Sequence, residues 1–483
     1  MSRFRSLLRT RALTLFGIDL RSLALFRIMI ALLLLIDLAS RARLLSANYT
    51  DAGAHPRTKA LLTYAMDGLP SLYMLGGSTR FALALFLVAG VAAVMLGLGW
   101  RTRIATLVSW ILLDSLHSRH ALLTDGGDHV LRCLLFWSIF LPLGARGSLD
   151  ARRLGPPGSP FVFSLASAAL LLQVACVFLV TGLTKTGPEW LDGTAIQYAI
   201  NRKWWILPFG EWLLAHPTLP RLLTPLVRGY EILGPLALFV PFYSAPIRVC
   251  ATLGFWGMLA GLGLGLRLNL FPWVAGTGLL LFLPAPLWDW LGRRFSLLQA
   301  SSAAGPLAPS GRLPRLASGA VQAVVLALLL LVLAMAAGEV NRELRPPRAL
   351  NRIGTFLHLE QGWLMYAPSP RHIDAWLEHR GKLGSRALVE LDLASGGSGW
   401  RTVETAWRDY RFQYFLQKLA HRKWKKVSRA YAQWLCRQWN QDRSGDERLE
   451  TLTVTLVVQP IALPGEPPQG LERKTLTSAT CPP

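Results

Sequence analysis

Three groups of ionisable residues sit in or beside long apolar runs, where a charge is costly unless it is paired or faces a polar cavity. The first is Lys185, in Thr181-Gly-Leu-Thr-Lys185-Thr-Gly-Pro-Glu-Trp190-Leu-Asp-Gly193. The second is a tight connection carrying Asp114, His117, His120, Asp125, Asp128 and His129. The third is Arg228 with Glu231, three apart on one helix face. Desolvation disfavours an ammonium, so a lysine in a partly dry pocket yields a neutral amine that serves as a general base. A histidine beside it can carry or orient a proton. Each group also has a structural reading. Lys185 reads as an interfacial lysine reaching toward headgroups, His129 as the helix-end residue of a hairpin, and Arg228 with Glu231 as an ion pair. The histidines and aspartates match no established metal spacing, so no metal is expected.

The elements that must hold these residues follow from the composition. Of 483 residues, 52% are hydrophobic and 16% charged, against roughly 25% charged in soluble domains. About nine apolar runs approach the length that crosses a bilayer: near 22–39, 81–99, 103–118, 129–144, 161–183, 225–244, 249–266, 269–290 and 317–338. The expectation is an all-α polytopic membrane protein with about nine transmembrane helices and a small C-terminal extracytoplasmic α+β domain. Residues 1–21 form a cytoplasmic segment, 22–338 the membrane domain and 339–483 the outer domain. Arg3, Arg5, Arg9 and Arg11 precede the first run, which no cleavage pattern follows, so it reads as a retained anchor with a cytoplasmic N-terminus. On that threading Lys185 and His129 lie at the same outer level.

Beyond Pro346-Pro347 the chain turns polar, with strand-like runs and one helical stretch over about 408–440. Cys436 and Cys481 both fall in this segment, where an oxidising compartment permits a disulfide. The formal charge of +23 is scattered over loops and no nucleic-acid-binding signature is present, so no nucleic-acid partner is expected.

Several short motifs occur in an order that resembles one family. They are Asp19-Leu-Arg21 through Phe26-Arg27, Gly126-Gly-Asp128-His129, and Gly182-Leu-Thr-Lys185 through Trp190, Gly193 and Tyr198 to Trp204-Trp205-Ile-Leu-Pro208-Phe209. They resemble the vitamin K-dependent γ-glutamyl carboxylases and their bacterial relatives, the horizontally transferred transmembrane domain (HTTM) proteins. The likeness covers roughly residues 15–300. It implies that Lys185 deprotonates a reduced quinone, vitamin K hydroquinone or menaquinol. Oxygen then turns the quinol anion into a base strong enough to take a proton from the γ-carbon of a glutamate, which captures CO2. His129 matches a supporting histidine. Asp128, Trp190, Gly193, Tyr198, Arg228 and Glu231 are the supporting or substrate-site candidates.

The implied partners are the lipid bilayer, a quinol and a Glu-containing peptide or protein, and the implied location is a bacterial inner membrane. Two departures stand out. Thr184 occupies a position that is often a second lysine, and only about 145 residues follow the last run, fewer than the mammalian enzymes use to bind a propeptide. Leu359-Glu-Gln361-Gly-Trp363-Leu-Met365-Tyr-Ala-Pro368-Ser-Pro370 is similar to the bacterial proteins. Two other functions remain open. One is a membrane scaffold binding a partner through Trp363, Trp376, Trp424, Trp434 and Trp439; the other is a quinol epoxidase or oxidoreductase without carboxylation.

Overall fold

The computed structural model describes residues 11–64, 71–155, 158–294, 315–391, 393, 401–467 and 469–482. Arg3, Arg5 and Arg9 and the basic loop 295–314 lie outside the described residues.

A two-residue strand β1 (Ile18–Asp19) pairs antiparallel with β2 (Phe161–Val162) and ties together the starts of two long helices. The first is α1 (Leu20–Ala42), which Asp19 caps by accepting from the Arg21 backbone N–H at 2.7 Å. Arg21 also reaches Asp289 at 2.6 Å, and buried Arg27 donates to the carbonyls of Leu143 and Gly147. These contacts give structural roles to the charged residues of the first motif. After α1 come α2 (Thr79–Leu98), α3 (Thr102–Arg119), α4 (Gly126–Ser138), α5 (Leu165–Thr184), α6 (Thr218–Ala237), α7 (Ser244–Gly265), α8 (Phe271–Leu279), α9 (Ala285–Arg294) and α10 (Arg315–Val340).

Among the described residues five helices are long and apolar enough to cross a membrane: α1, α2, α5, α7 and the part of α10 from Gly319 to Val340. A pair bent by 95°, Phe271–Phe282 with Ala285–Arg294, raises the number to six if it counts as one span. The expectation of about nine is not confirmed, and three features set the remaining runs apart from these helices. Helix α3 encloses Asp114, His117 and Arg119 in protein, so it does not need to be apolar all round. Helix α4 has 13 residues, about 20 Å of rise against a hydrocarbon core near 30 Å. Helix α6 carries Arg221, Arg228 and Glu231 and two internal prolines.

The C-terminal part is a four-stranded antiparallel sheet in the order β4-β3-β5-β6, formed by β3 (Ile373–Leu383), β4 (Leu388–Glu390), β5 (Leu449–Pro460) and β6 (Glu472–Thr480). The helical stretch expected to be continuous over 408–440 is interrupted. Helix α11 (Arg401–Arg408) leads to α12 (Tyr410–Leu419), and a turn that folds the chain back separates this from α13 (Lys425–Asn440). Folding back lets Phe412 and Phe415 of α12 meet Tyr431 and Trp434 of α13. Ser428 supports the turn, donating to the carbonyls of Leu419 and Trp424. A Cys436–Cys481 disulfide joins α13 to the residue after β6.

Two large apolar cores result. One lies inside the bundle around Phe26, Trp137, Leu170, Phe178 and Phe255. The other runs across the join: Tyr49, Tyr73, Phe86 and Leu116 from the helical part share it with Phe412, Phe415, Trp434 and Val454. The strap Leu359–Met365 also crosses the join. Leu359, Gln361 and Trp363 are buried, Gln361 and Gln173 of α5 exchange amide hydrogen bonds, and Thr181 donates to the Trp363 carbonyl at 2.9 Å.

Candidate functional site

Lys185 is the C-cap of α5, so the side chain leaves the helix where the chain turns toward Pro188. Gly182 lies one turn earlier. A Cβ there would come within 2.9 Å of Glu231 Cβ and Ile232, so its absence lets α5 and α6 cross closely. The crossing brings Glu231 to Lys185, and the two form a buried ion pair. The Lys185 ammonium also sits 4.3 Å from the ring centre of Trp190, whose indole N–H donates to the Tyr366 carbonyl at 3.1 Å. Burial lowers the Lys185 pKa from the ordinary lysine range, and Glu231 offsets part of that effect.

Lys185, Glu231 and Trp190 line a cavity of about 930 Å³. Its walls come from α6 and α7, the segment after Lys185, Arg202 to Phe209, and two C-terminal segments, Leu364 to Arg371 and Tyr410 to Gln417. Apolar side chains such as Phe178, Leu226, Val227 and Met258 make up much of the surface. Helix α7 contributes glycines: a Cβ at Gly257 or Gly261 would meet nothing within 4 Å. Leu223 and Leu226 of α6 line the cavity and are 37% and 65% exposed, and the lining residues Gly254 and Gly257 of α7 are exposed too, so the cavity opens to the surface between α6 and α7.

The other candidates fall elsewhere. Arg228 and Glu231 form no ion pair among the described residues: Glu231 turns to Lys185, and the Arg228 Nε is buried without a hydrogen-bond partner. His129 is half-buried and does not line the cavity; its Nδ1 lies 3.4 Å from Arg132 Nη2. That arginine leads to Asp114 at 3.9 Å, and Asp114 lies 3.8 Å from His358. Asp125 and Gly126, just before His129, do line the cavity. Gly193 is a helix C-cap with φ +87°, and Tyr198 stacks on His372 with ring centres 4.4 Å apart.

Asp128 belongs to a cluster that the sequence did not reveal. Arg411 of α12 donates to Asp128 at 2.5 Å and pairs with Asp37, while Arg41 donates to Asp37 at 2.8 Å and to Asp128 at 2.9 Å. Asp125 lies 3.9 Å from Arg411, and burial beside Asp128 pushes its carboxyl up to about 6. Asp125 and Asp128 also form the capping box of α4. The only advance signals were the buried-looking Asp37 and Arg41 at i, i+4 near the end of α1 and the unexplained Asp125 and Asp128. Nothing local connected them to a residue nearly three hundred positions away.

The histidine-and-aspartate metal reading meets this same cluster. Asp37, His117 and Asp128 place one ligand-type atom each within 4.8 Å of one another. All four oxygens of the two aspartates already accept from Arg41 or Arg411, so a cation would have to displace a guanidinium. His120 instead stacks on His55, with ring centres 4.2 Å apart.

The apolar helices, together with a buried lysine facing a largely apolar cavity that opens between α6 and α7, define a helical membrane protein with an internal site. The HTTM domain model matches residues 17–290, more than half of the chain, and the protein belongs to the HTTM family. No curated protein and no solved structure matches it.

Proposed function

We propose that this HTTM-family protein uses a reduced quinone, O2 and CO2 to carboxylate glutamate of an extracytoplasmic peptide or protein, with Lys185 as the base. The observation that carries the reading is the placement of Lys185: buried, oriented by Glu231, covered by Trp190 and facing an apolar cavity open to the bilayer. Bound there, vitamin K hydroquinone or menaquinol supplies the reducing equivalents and, with O2, the strong base needed to break a C–H bond. Lys185 accepts a hydroxyl proton at Nζ. Burial favours the neutral amine that this step requires, and Glu231 fixes its direction and takes up the spare positive charge. The apolar walls exclude water that would quench so strong a base. His129 supports the site indirectly, behind the Asp125–Gly126 wall.

The disulfide supports placing the outer part in an oxidising compartment, and with it a bacterial inner-membrane location with a cytoplasmic N-terminus. The scaffold alternative loses ground because Trp363 and Trp434, two of its five tryptophans, are core residues.

The test is epoxide formation by detergent-purified protein given reduced vitamin K or a menaquinol, O2, labelled bicarbonate and a Glu-containing peptide. Wild type is expected to make epoxide and label the peptide, and Lys185→Ala to do neither. Epoxide without label assigns an epoxidase. Equal turnover by Lys185→Ala removes the lysine from the mechanism.

A further inference from the structure

The cavity has a second chemistry at its outer end. Arg202, Arg267 and Arg371 line it there, contributed by three separate segments. Arg202 is mostly buried and donates Nη2 to Gln417 at 3.1 Å, but its Nε has no hydrogen-bond partner among the described residues. The nearest carboxylate, Asp374, is 3.8 Å away and already accepts from the backbone N–H groups of Lys203 and Ala375. Arg267 and Arg371 are exposed and have no acidic partner within 4 Å among the described residues. Arg202, Tyr366, Arg371 and Tyr414 line the same cavity, and the charge of Arg371 acts on the other three.

The acids that line the cavity do not neutralise this end. Glu231 is taken by Lys185, and Asp125 lies beside Arg411 while accepting from Asn269 at 3.3 Å. The outer end therefore carries three guanidiniums against one carboxylate, the Asp374 that lies 3.8 Å from Arg202, and so keeps a positive field with free donors. Next to it, the apolar channel opens between α6 and α7 at Leu223 and Leu226. Phe209, another lining residue, stacks on the exposed Trp212 with ring centres 5.6 Å apart, the kind of aromatic pair that settles at headgroup depth.

A neutral quinol ring has no use for three guanidiniums, and an inorganic anion has no use for the apolar channel. We propose that this end of the cavity is a phosphate site for an anionic lipid, whose head bridges Arg202 and Arg371 and whose acyl chain lies between α6 and α7. Arginine suits the task because its planar fork gives a phosphate two parallel hydrogen bonds. The proposal is independent of the quinol chemistry at Lys185, and its test involves no turnover.

The experiment uses the full chain in detergent and follows its melting against added phosphatidylglycerol, phosphatidylcholine or inorganic phosphate. The expected result is a saturable rise in melting temperature with phosphatidylglycerol alone. Arg202→Gln/Arg371→Gln should weaken its apparent affinity about tenfold or more, about 1.4 kcal/mol or above. Arg371→Gln alone, at an exposed position, keeps the test readable if the double variant folds poorly, and is expected to weaken it severalfold. An equal rise with phosphatidylcholine overturns the proposal, as does undiminished affinity in Arg371→Gln. A rise with inorganic phosphate matching that with phosphatidylglycerol assigns a free-anion site and overturns the lipid.

Discussion

Removing one partner of a buried ion pair strands the other charge in a poorly polarisable setting, which costs about 3–5 kcal/mol, whereas replacing both by apolar groups is often neutral. Lys185 and Glu231 meet that description, and the asymmetry separates their structural from their chemical contribution. Lys185→Met is expected to lower the melting temperature and abolish quinol oxidation. Lys185→Met/Glu231→Leu should restore melting to near wild type without restoring turnover. A double variant that turns over quinol would show that the pair is structural only. Both residues stood out in the sequence as ionisable groups beside apolar runs, yet their pairing did not. Helix periodicity paired Glu231 with Arg228 on its own helix, and the contact with Lys185 depends on a helix crossing at Gly182 that no local pattern reports. His379 makes a separate point in the C-terminal part. It is buried, its Nε2 lies 3.0 Å from the Tyr431 hydroxyl, and desolvation lowers its pKa to about 3. The unfolded chain then binds more protons than the folded one between pH about 3 and about 6.5. Stability carried by this residue is complete above that window and falls by about 1.4 kcal/mol per pH unit on acidification through it. Melting measured from pH 7 to 4 should show a shallower decline in His379→Gln.

At the scale of elements, α12 performs two jobs. Tyr410, Tyr414 and Gln417 form part of the cavity wall, and Arg411 enters the carboxylate cluster of α1 and α4. One guanidinium bridges Asp37 and Asp128, so its planar fork matters as well as its charge. Arg411→Ala leaves Asp37 and Asp128 with Arg41 as their one guanidinium partner and Asp125 with none among the described residues, and is expected to destabilise the protein by about 3–5 kcal/mol. Lysine, a point charge, should recover only part of the loss. Limited proteolysis is the direct readout, with the segment around α12 becoming cleavable in Arg411→Ala before the bundle does; unchanged cleavage would mean that the apolar core at the join holds α12 without the latch. The sequence showed a helix here and its basic character, but it read α12 and α13 as one, because both carry helix-forming residues and the turn between them contains neither glycine nor proline. The difference between the nine apolar runs and the five long apolar helices has a related cause. Apolar runs mark burial, and burial against protein looks the same in sequence as burial in lipid. Helix α4 is apolar because other helices enclose it, whereas α3 is enclosed from Leu112 to Arg119 and exposes Ile104, Leu107 and Ile111.

On the scale of the whole molecule, the cavity exists because the membrane helices and the C-terminal segments close on each other, with Lys185 on one side and Tyr410 and Arg371 on the other. The sequence pointed to a membrane domain, a polar C-terminal part and the lysine, but not to a shared chamber, since its walls come from segments far apart in the chain. The glycines of α7 give the most direct test of the chamber's role. Gly257 and Gly261 lie in a helix, where glycine costs about 1 kcal/mol relative to alanine, so a side chain at either position is favourable for the helix itself. A Cβ at either position meets open space. Gly261→Leu should therefore fold and insert at least as well as wild type while placing a branched apolar group inside the channel. If a membrane-soluble ligand enters between α6 and α7, Gly257→Leu and Gly261→Leu will bind a quinol at least about tenfold more weakly, about 1.4 kcal/mol, with melting temperature unchanged or raised. Gly261→Ala, which removes far less volume, should remain close to wild type. Binding that ignores both leucines would place the ligand's route elsewhere, since these substitutions narrow the channel without touching Lys185, Glu231 or the arginines.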